Sequence, residues 1–168
     1  LLMRMSGADI RFVEPAEIGQ AMEAATDELI ASGFRPYMIP GGGHCIEGAI
    51  AYADAATELD AQCWDLGWRP DAVVLASGTG TTQAGLMAGF DRLGRETRVV
   101  GVSVARPNPR GLEAVKESYA EICGRLDLQP DARVEFRDEW TCGGYERFDE
   151  RTVEVIARVL DDEGLALD

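Results

Sequence analysis

A chain of 168 residues, 46% hydrophobic and 27% charged, is long enough to bury one core and too apolar to be disordered. Its formal net charge of −14 repels nucleic-acid phosphates and anionic membrane surfaces, which excludes a role built on binding either. No run reaches membrane-spanning length, no signal peptide is visible, and Cys45, Cys63, Cys123 and Cys142 form no C-x-x-C pair, so a reduced, cytoplasmic protein is expected.

The chain opens on Leu-Leu rather than Met, and it stops after Leu165-Ala-Leu167, which reads as a strand just beginning; truncation at both ends is expected. Ala8 to Val13 reads as a strand with Ile10 and Phe12 on one face, and Pro15 stands where a helix starts. Ile18, Met22, Ala25 and Leu29 follow at helical spacing, with Gly33 as the cap. Tyr37-Met-Ile39 is a second short strand, ended by Pro40 and the triplet Gly41-Gly42-Gly43. Ala49, Tyr52, Ala56, Leu59, Cys63 and Leu66 then trace one face of a long helix closed by Gly67.

Asp71-Ala-Val-Val-Leu-Ala76 has the aliphatic density of a buried parallel strand, and Thr81 to Phe90 reads as a helix in which Gly85 and Gly89 allow close approach to a neighbour. Arg98 to Val104 is another buried strand; Leu112, Val115, Tyr119, Ile122 and Leu126 stripe the next helix. Arg133 to Phe136 is a late strand, and Val153, Ile156, Ala157 and Leu160 mark a last helix. Alternation of strand and helix implies an α/β fold with a parallel sheet flanked by helices and ligands at the carboxyl ends of its strands.

Between strand and helix, Ser77-Gly-Thr-Gly-Thr-Thr82 sets two glycines among hydroxyls at a helix start, where backbone amides converge on one spot suited to a phosphate. The loop lacks a Walker lysine and has Gln83 where a dinucleotide fingerprint needs glycine. A tight turn that happens to be rich in Gly and Thr is the alternative. Trp140 to Asp149 is the longest irregular segment, and its Gly143-Gly144-Tyr145 either lines a site or makes a plain turn.

Taken together, IPGGG, GAIAYADA, VVLASGTGTTQAGLMAGF, RVVGVSVAR, CGGY and DEGLALD resemble the D-cysteine desulfhydrase and 1-aminocyclopropane-1-carboxylate deaminase family, pyridoxal phosphate enzymes of the tryptophan synthase β type (fold type II). The resemblance runs over nearly the whole chain. It implies that residues 1–34 end a smaller domain and residues 35–168 form most of a larger cofactor-binding domain. It also implies that Ser77, Gly78, Thr79, Gly80, Thr81 and Thr82 hold the phosphate of pyridoxal 5'-phosphate. Tyr145 matches a family tyrosine near substrate and cofactor, expected as a catalytic residue. The Gly42, Gly43, His44 and Cys45 segment corresponds to a loop beside the substrate, where the family usually carries small polar residues instead of this His-Cys pair. Read alone, that pair is a metal or thiol site, a substrate lining or ordinary loop; with no other histidine in the chain, no metal is expected.

The family's chemistry needs a Schiff-base lysine, and Lys116 is the chain's only lysine, set between Glu113 and Glu117 off the apolar stripe as a surface residue would be. The resemblance places the active lysine outside the chain. It implies a homodimeric enzyme acting on a small amino acid, first as D-cysteine desulfhydrase, with 1-aminocyclopropane-1-carboxylate deaminase or cysteate sulfo-lyase as alternatives. A non-catalytic phosphate-binding module is the alternative of another class.

Overall fold

The computed structural model describes residues 2–130 and 133–167. The chain forms two compact units, Leu1–Pro40 and Gly41–Asp168. The first carries a short helix α1 (Leu2–Met5), a single turn at Pro15–Glu17 and helix α2 (Ile18–Ala31), which ends where the expected Gly33 turns with φ 84°. The expected strands at 8–13 and 37–39 are instead irregular. A strand needs a hydrogen-bonded neighbour, and none among the described residues pairs with them; Phe12, Tyr37 and Ile39 are exposed.

The second unit carries helix α3 (Ile46–Asp65), strand β1 (Ala72–Ser77), helix α4 (Thr81–Arg92), strand β2 (Arg98–Ser103), helix α5 (Arg110–Arg125), strand β3 (Glu135–Arg137) and helix α6 (Glu150–Glu163). The strands lie in the order β1-β2-β3, all parallel, with Val73 beside Val99 and Gly101 beside Phe136. Residues 164–167 are irregular rather than the start of a strand.

Helix α4 is the centre of the core. Every residue from Gln83 to Phe90 is buried, because α3 and α5 pack on either side and β1 and β2 lie beneath. On α3 the buried positions are Ala49, Ala53, Ala56 and Cys63; the expected Tyr52 and Leu66 are exposed, and the small Ala53 takes the inner place. The reason is distance: a Cβ on Gly85 would stand 2.4 Å from the Ala49 carbonyl oxygen, and one on Gly89 would stand 2.5 Å from that of Ala53. Backbones this close admit only small side chains between them. Arg92 reinforces the contact from the end of α4, donating to Ala53 O at 3.1 Å, Asp54 Oδ1 at 3.0 Å and Thr57 Oγ1 at 2.9 Å. Just beyond, Arg95 grips Asp60 of α3 through both carboxylate oxygens at 2.7 and 2.8 Å, and those bonds hold the Asp60 carboxyl below its ordinary range.

A buried glutamine ties the sheet to α4. The Gln83 side chain accepts from Ser77 Oγ of β1 at 3.1 Å and donates to the carbonyls of Val99 in β2 (3.4 Å) and Glu135 in β3 (2.7 Å). It fills the space that a side chain at Gly101 would need, since a Cβ there would stand 1.9 Å from Gln83 Oε1. The other sheet face, with Val74, Ala76 and Val102, looks across an open cleft of about 1030 Å³ toward Trp140, Phe148, Val153 and Ile156. Asp149 caps α6 there by accepting from the Thr152 amide at 3.0 Å.

Candidate functional site

The register sets the carboxyl ends of β1 and β2 level, with Ser77 beside Ser103, so the loops leaving both strands meet at one edge of the sheet. From β1 the chain turns through Gly78, Thr79 and Gly80 into α4. Gly80 is the N-cap in a left-handed conformation, φ 92° and ψ −16°, and a Cβ on it would lie 3.0 Å from the Val115 side chain and 3.1 Å from its amide nitrogen. Only glycine meets both the backbone angle and the proximity of α5.

The N-terminus of α4 has no side-chain cap. Its first internal bond runs from the Ala84 amide to the Gly80 carbonyl at 2.9 Å, so the amides of Thr81, Thr82 and Gln83 have no acceptor within the helix. The helix dipole adds roughly half a positive charge at the same point. Thr81 is 3% exposed, and its Oγ1 receives the Thr79 hydroxyl at 3.3 Å and meets His44 Nδ1 at 2.6 Å. Thr82 is half-buried on the same turn. Ser77 differs from the other hydroxyl residues: it is 2% exposed and its hydroxyl is given to Gln83, inward from the loop.

The second glycine loop folds against the first. Residues Gly41–Gly43 form one tight turn before α3, and a Cβ on Gly42 would stand 3.0 Å from Thr79 Cγ2. A Cβ on Gly48, in the first turn of α3, would lie 2.2 Å from the Gly43 carbonyl oxygen and 3.5 Å from Thr81 Cγ2. Beside this junction is a cleft of about 490 Å³ lined by Gly42, Gly78, Thr79, Val104, Arg106 and Tyr145, with Ala76 and Ala105. Gly42 and Tyr145 therefore share one cavity with the phosphate-type loop. Gly43 and His44 are not among the residues lining it, although His44 meets Thr81 of the neighbouring helix start, and Cys45 is the half-buried N-cap of α3, its thiol 3.5 Å from the Gly43 carbonyl oxygen. Among the described residues no cluster of His, Cys, Asp and Glu is arranged to hold a metal ion.

Arg106 is a site residue the sequence reading missed. Its guanidinium reaches the Thr79 carbonyl at 3.5 Å and brings a positive charge to the cleft. The turn that presents it is pinned by Ser103, whose hydroxyl donates to the Arg106 carbonyl at 2.8 Å and accepts from the Ala105 amide at 3.2 Å. Its position just after a strand's carboxyl end is the signal that finds it.

Unpaired amides, an uncapped helix start, threonine hydroxyls and one arginine together fit a phosphate monoester. The model of the family described as pyridoxal-phosphate dependent enzyme matches residues 1–168. The chain belongs to the pyridoxal-phosphate dependent enzyme family. Its relatives include a D-cysteine desulfhydrase of Klebsiella pneumoniae subsp. pneumoniae, 34% identical over 149 residues, which are 86% of this chain and 45% of that protein. Another D-cysteine desulfhydrase, from Klebsiella pneumoniae strain 342, is 34% identical over 154 residues, 92% of this chain and 46% of that protein. The chain thus spans a little under half the length of these curated relatives. A solved structure described as an ACC deaminase homologue matches with a TM-score of 0.89 at 28% identity, over 99% of this chain and 51% of that one.

The parallel sheet flanked by helices is accordingly the tryptophan synthase β-like fold of type II, and pyridoxal 5'-phosphate is the cofactor of the pyridoxal-phosphate dependent family. No helix among the described residues is long and apolar enough to cross a membrane.

Proposed function

We propose that this chain carries the cofactor cradle of a D-cysteine desulfhydrase, an enzyme that eliminates the thiol of a small amino acid to give pyruvate, sulfide and ammonia. The observation that carries the reading is the 34% identity to D-cysteine desulfhydrases over 86% of the chain, which spans the loop at the start of α4. In this reading residues 1–34 close the smaller domain, residues 35–168 belong to the larger one, and the enzyme works as a cytoplasmic homodimer.

Bound pyridoxal phosphate supplies the electron sink that breaking a bond at the substrate Cα requires. The backbone amides from Gly78 to Thr82 and the hydroxyls of Thr81 and Thr82 take its phosphate, Thr79 serves through its backbone because its hydroxyl is given to Thr81, and Arg106 adds positive charge beside Thr79. Ser77 serves through its backbone, because its hydroxyl is engaged by Gln83. Gly42 and Gly43 leave room for the amino acid, and the exposed Tyr145 phenol, on the cleft with Gly42, holds a proton at Oη within its reach. Lys116 is exposed on α5 and is not among the residues lining the cleft, so the proposal gives it no part in the reaction.

The likeness to an ACC deaminase homologue supports a second reading, ring opening of 1-aminocyclopropane-1-carboxylate. The test offers D-cysteine, L-cysteine and the cyclic amino acid to the holoenzyme containing these residues and measures sulfide and keto acid. Release of sulfide from D-cysteine is expected at a kcat/KM at least about tenfold above either competitor. Tyr145→Phe is expected to lower kcat about 10- to 100-fold. Faster ring opening than sulfide release would transfer the assignment to the second reading.

A further inference from the structure

His44 is the chain's only histidine, and its ring meets Thr81 on the first turn of α4, Nδ1 to Oγ1, at 2.6 Å. The Thr81 hydroxyl has one hydrogen and two lone pairs. One lone pair receives the Thr79 hydroxyl at 3.3 Å. If Nδ1 is bare, the Thr81 hydrogen goes to the ring and none is left for an anion at the helix start. If Nδ1 carries hydrogen, Thr81 accepts from both neighbours and its own hydrogen is free to point at the anion. His44 is exposed, so water satisfies Nε2 in either form.

We propose that His44 is a positioning residue for the phosphate cradle: it donates from Nδ1 to Thr81 Oγ1 and so commits the Thr81 hydroxyl to donate to the bound phosphate. The proposal rests on the reading of Gly78 to Thr82 as that cradle. Cys45, next in the chain, has no share in it, because its thiol is turned to the Gly43 carbonyl.

A single histidine makes the test direct, since its ring nitrogens give the only imidazole signals in a nitrogen-15 spectrum of the full chain. The probes are inorganic phosphate and pyridoxal 5'-phosphate, each added to saturation in the same mildly alkaline buffer. With either probe at saturation, the Nδ1 signal is expected to be that of a protonated nitrogen. His44→Leu is expected to weaken pyridoxal 5'-phosphate about tenfold, whereas His44→Asn, which sets an amide N–H near the place of Nδ1, holds affinity to within about twofold. In a Thr81→Val background, His44→Leu is expected to change nothing further.

A bare Nδ1 in the bound form overturns the proposal, as does a leucine variant that binds like the parent or loses equally with and without Thr81. If the amide signals of Gly78 to Thr82 respond while Nδ1 stays bare, the cradle stands and only the role of His44 falls. If those amides respond to neither probe, the cradle reading falls and takes this one with it.

Discussion

Replacing Gln83 by alanine is expected to lower the free energy of unfolding by about 3 to 4 kcal/mol, read from the midpoint of urea denaturation followed by circular dichroism. The side chain is fully buried, with a relative exposure of 0%, and bonds to all three strands. Truncation leaves the Ser77 hydroxyl and the Glu135 carbonyl without these partners in a dry interior, each costing about 1 to 3 kcal/mol, and opens a cavity above Gly101. Gln83→Met fills much of the cavity but restores no hydrogen bond, so about 2 kcal/mol of loss is expected to remain. Gln83→Glu is expected to match or exceed the alanine variant, because it turns a donor toward the Val99 and Glu135 carbonyls into an acceptor. A loss below about 1 kcal/mol for alanine would mean that the glutamine does not tie the sheet together.

The same substitution, glycine to alanine, is expected to have opposite signs in neighbouring helices. At Gly85 of α4 the new methyl would stand 2.4 Å from the Ala49 carbonyl oxygen and 2.6 Å from Tyr52 Cβ. One of those atoms belongs to backbone, so relief requires α3 and α4 to separate. That outweighs the gain of about 1 kcal/mol in helix propensity and is expected to leave a net loss of about 2 kcal/mol, larger still for valine. At Gly124 of α5 a Cβ meets nothing within 4 Å, and alanine is expected to stabilise by about 0.5 to 1 kcal/mol. Thermal unfolding of the two variants beside the parent gives the comparison. A stabilised Gly85→Ala would show that the helices are not in close contact.

Helix α5 and the three paired strands were legible because their burial is periodic: the apolar stripe read along α5 lands on the buried Val115, Tyr119 and Ile122. The small residues Gly85 and Gly89 announced a close approach, although not that α3 is the partner. What failed were the stretches at 8–13 and 37–39, where local alternation looks like a strand but pairing depends on a neighbour that local pattern does not contain. On α3 the spacing favoured the bulky Tyr52, whereas the distance to α4 required Ala53.

Part of the site was legible for a similar reason. A glycine and threonine loop between a strand and a helix leaves backbone amides free at a helix start, and the proposed function gives those amides a cofactor's phosphate. Arg106 and the inward turn of Ser77 were not legible, because both depend on side chains brought together from separate strands. Gln83 was noticed only as a departure from a dinucleotide fingerprint, and its part in joining the strands emerges from three bonds of long sequence separation.

The proposed function stands or falls with the loop from Gly78 to Thr82 holding the phosphate of pyridoxal 5'-phosphate. Calorimetric titration of the chain with pyridoxal 5'-phosphate and with pyridoxal, which lacks only the phosphate, tests it most directly. The phosphorylated form is expected to bind at least about 100-fold more tightly, as two or more charge-assisted hydrogen bonds would give, with inorganic phosphate competing and Gly80→Val abolishing the difference. Equal binding of the two forms, or a difference that survives Gly80→Val, would contradict it.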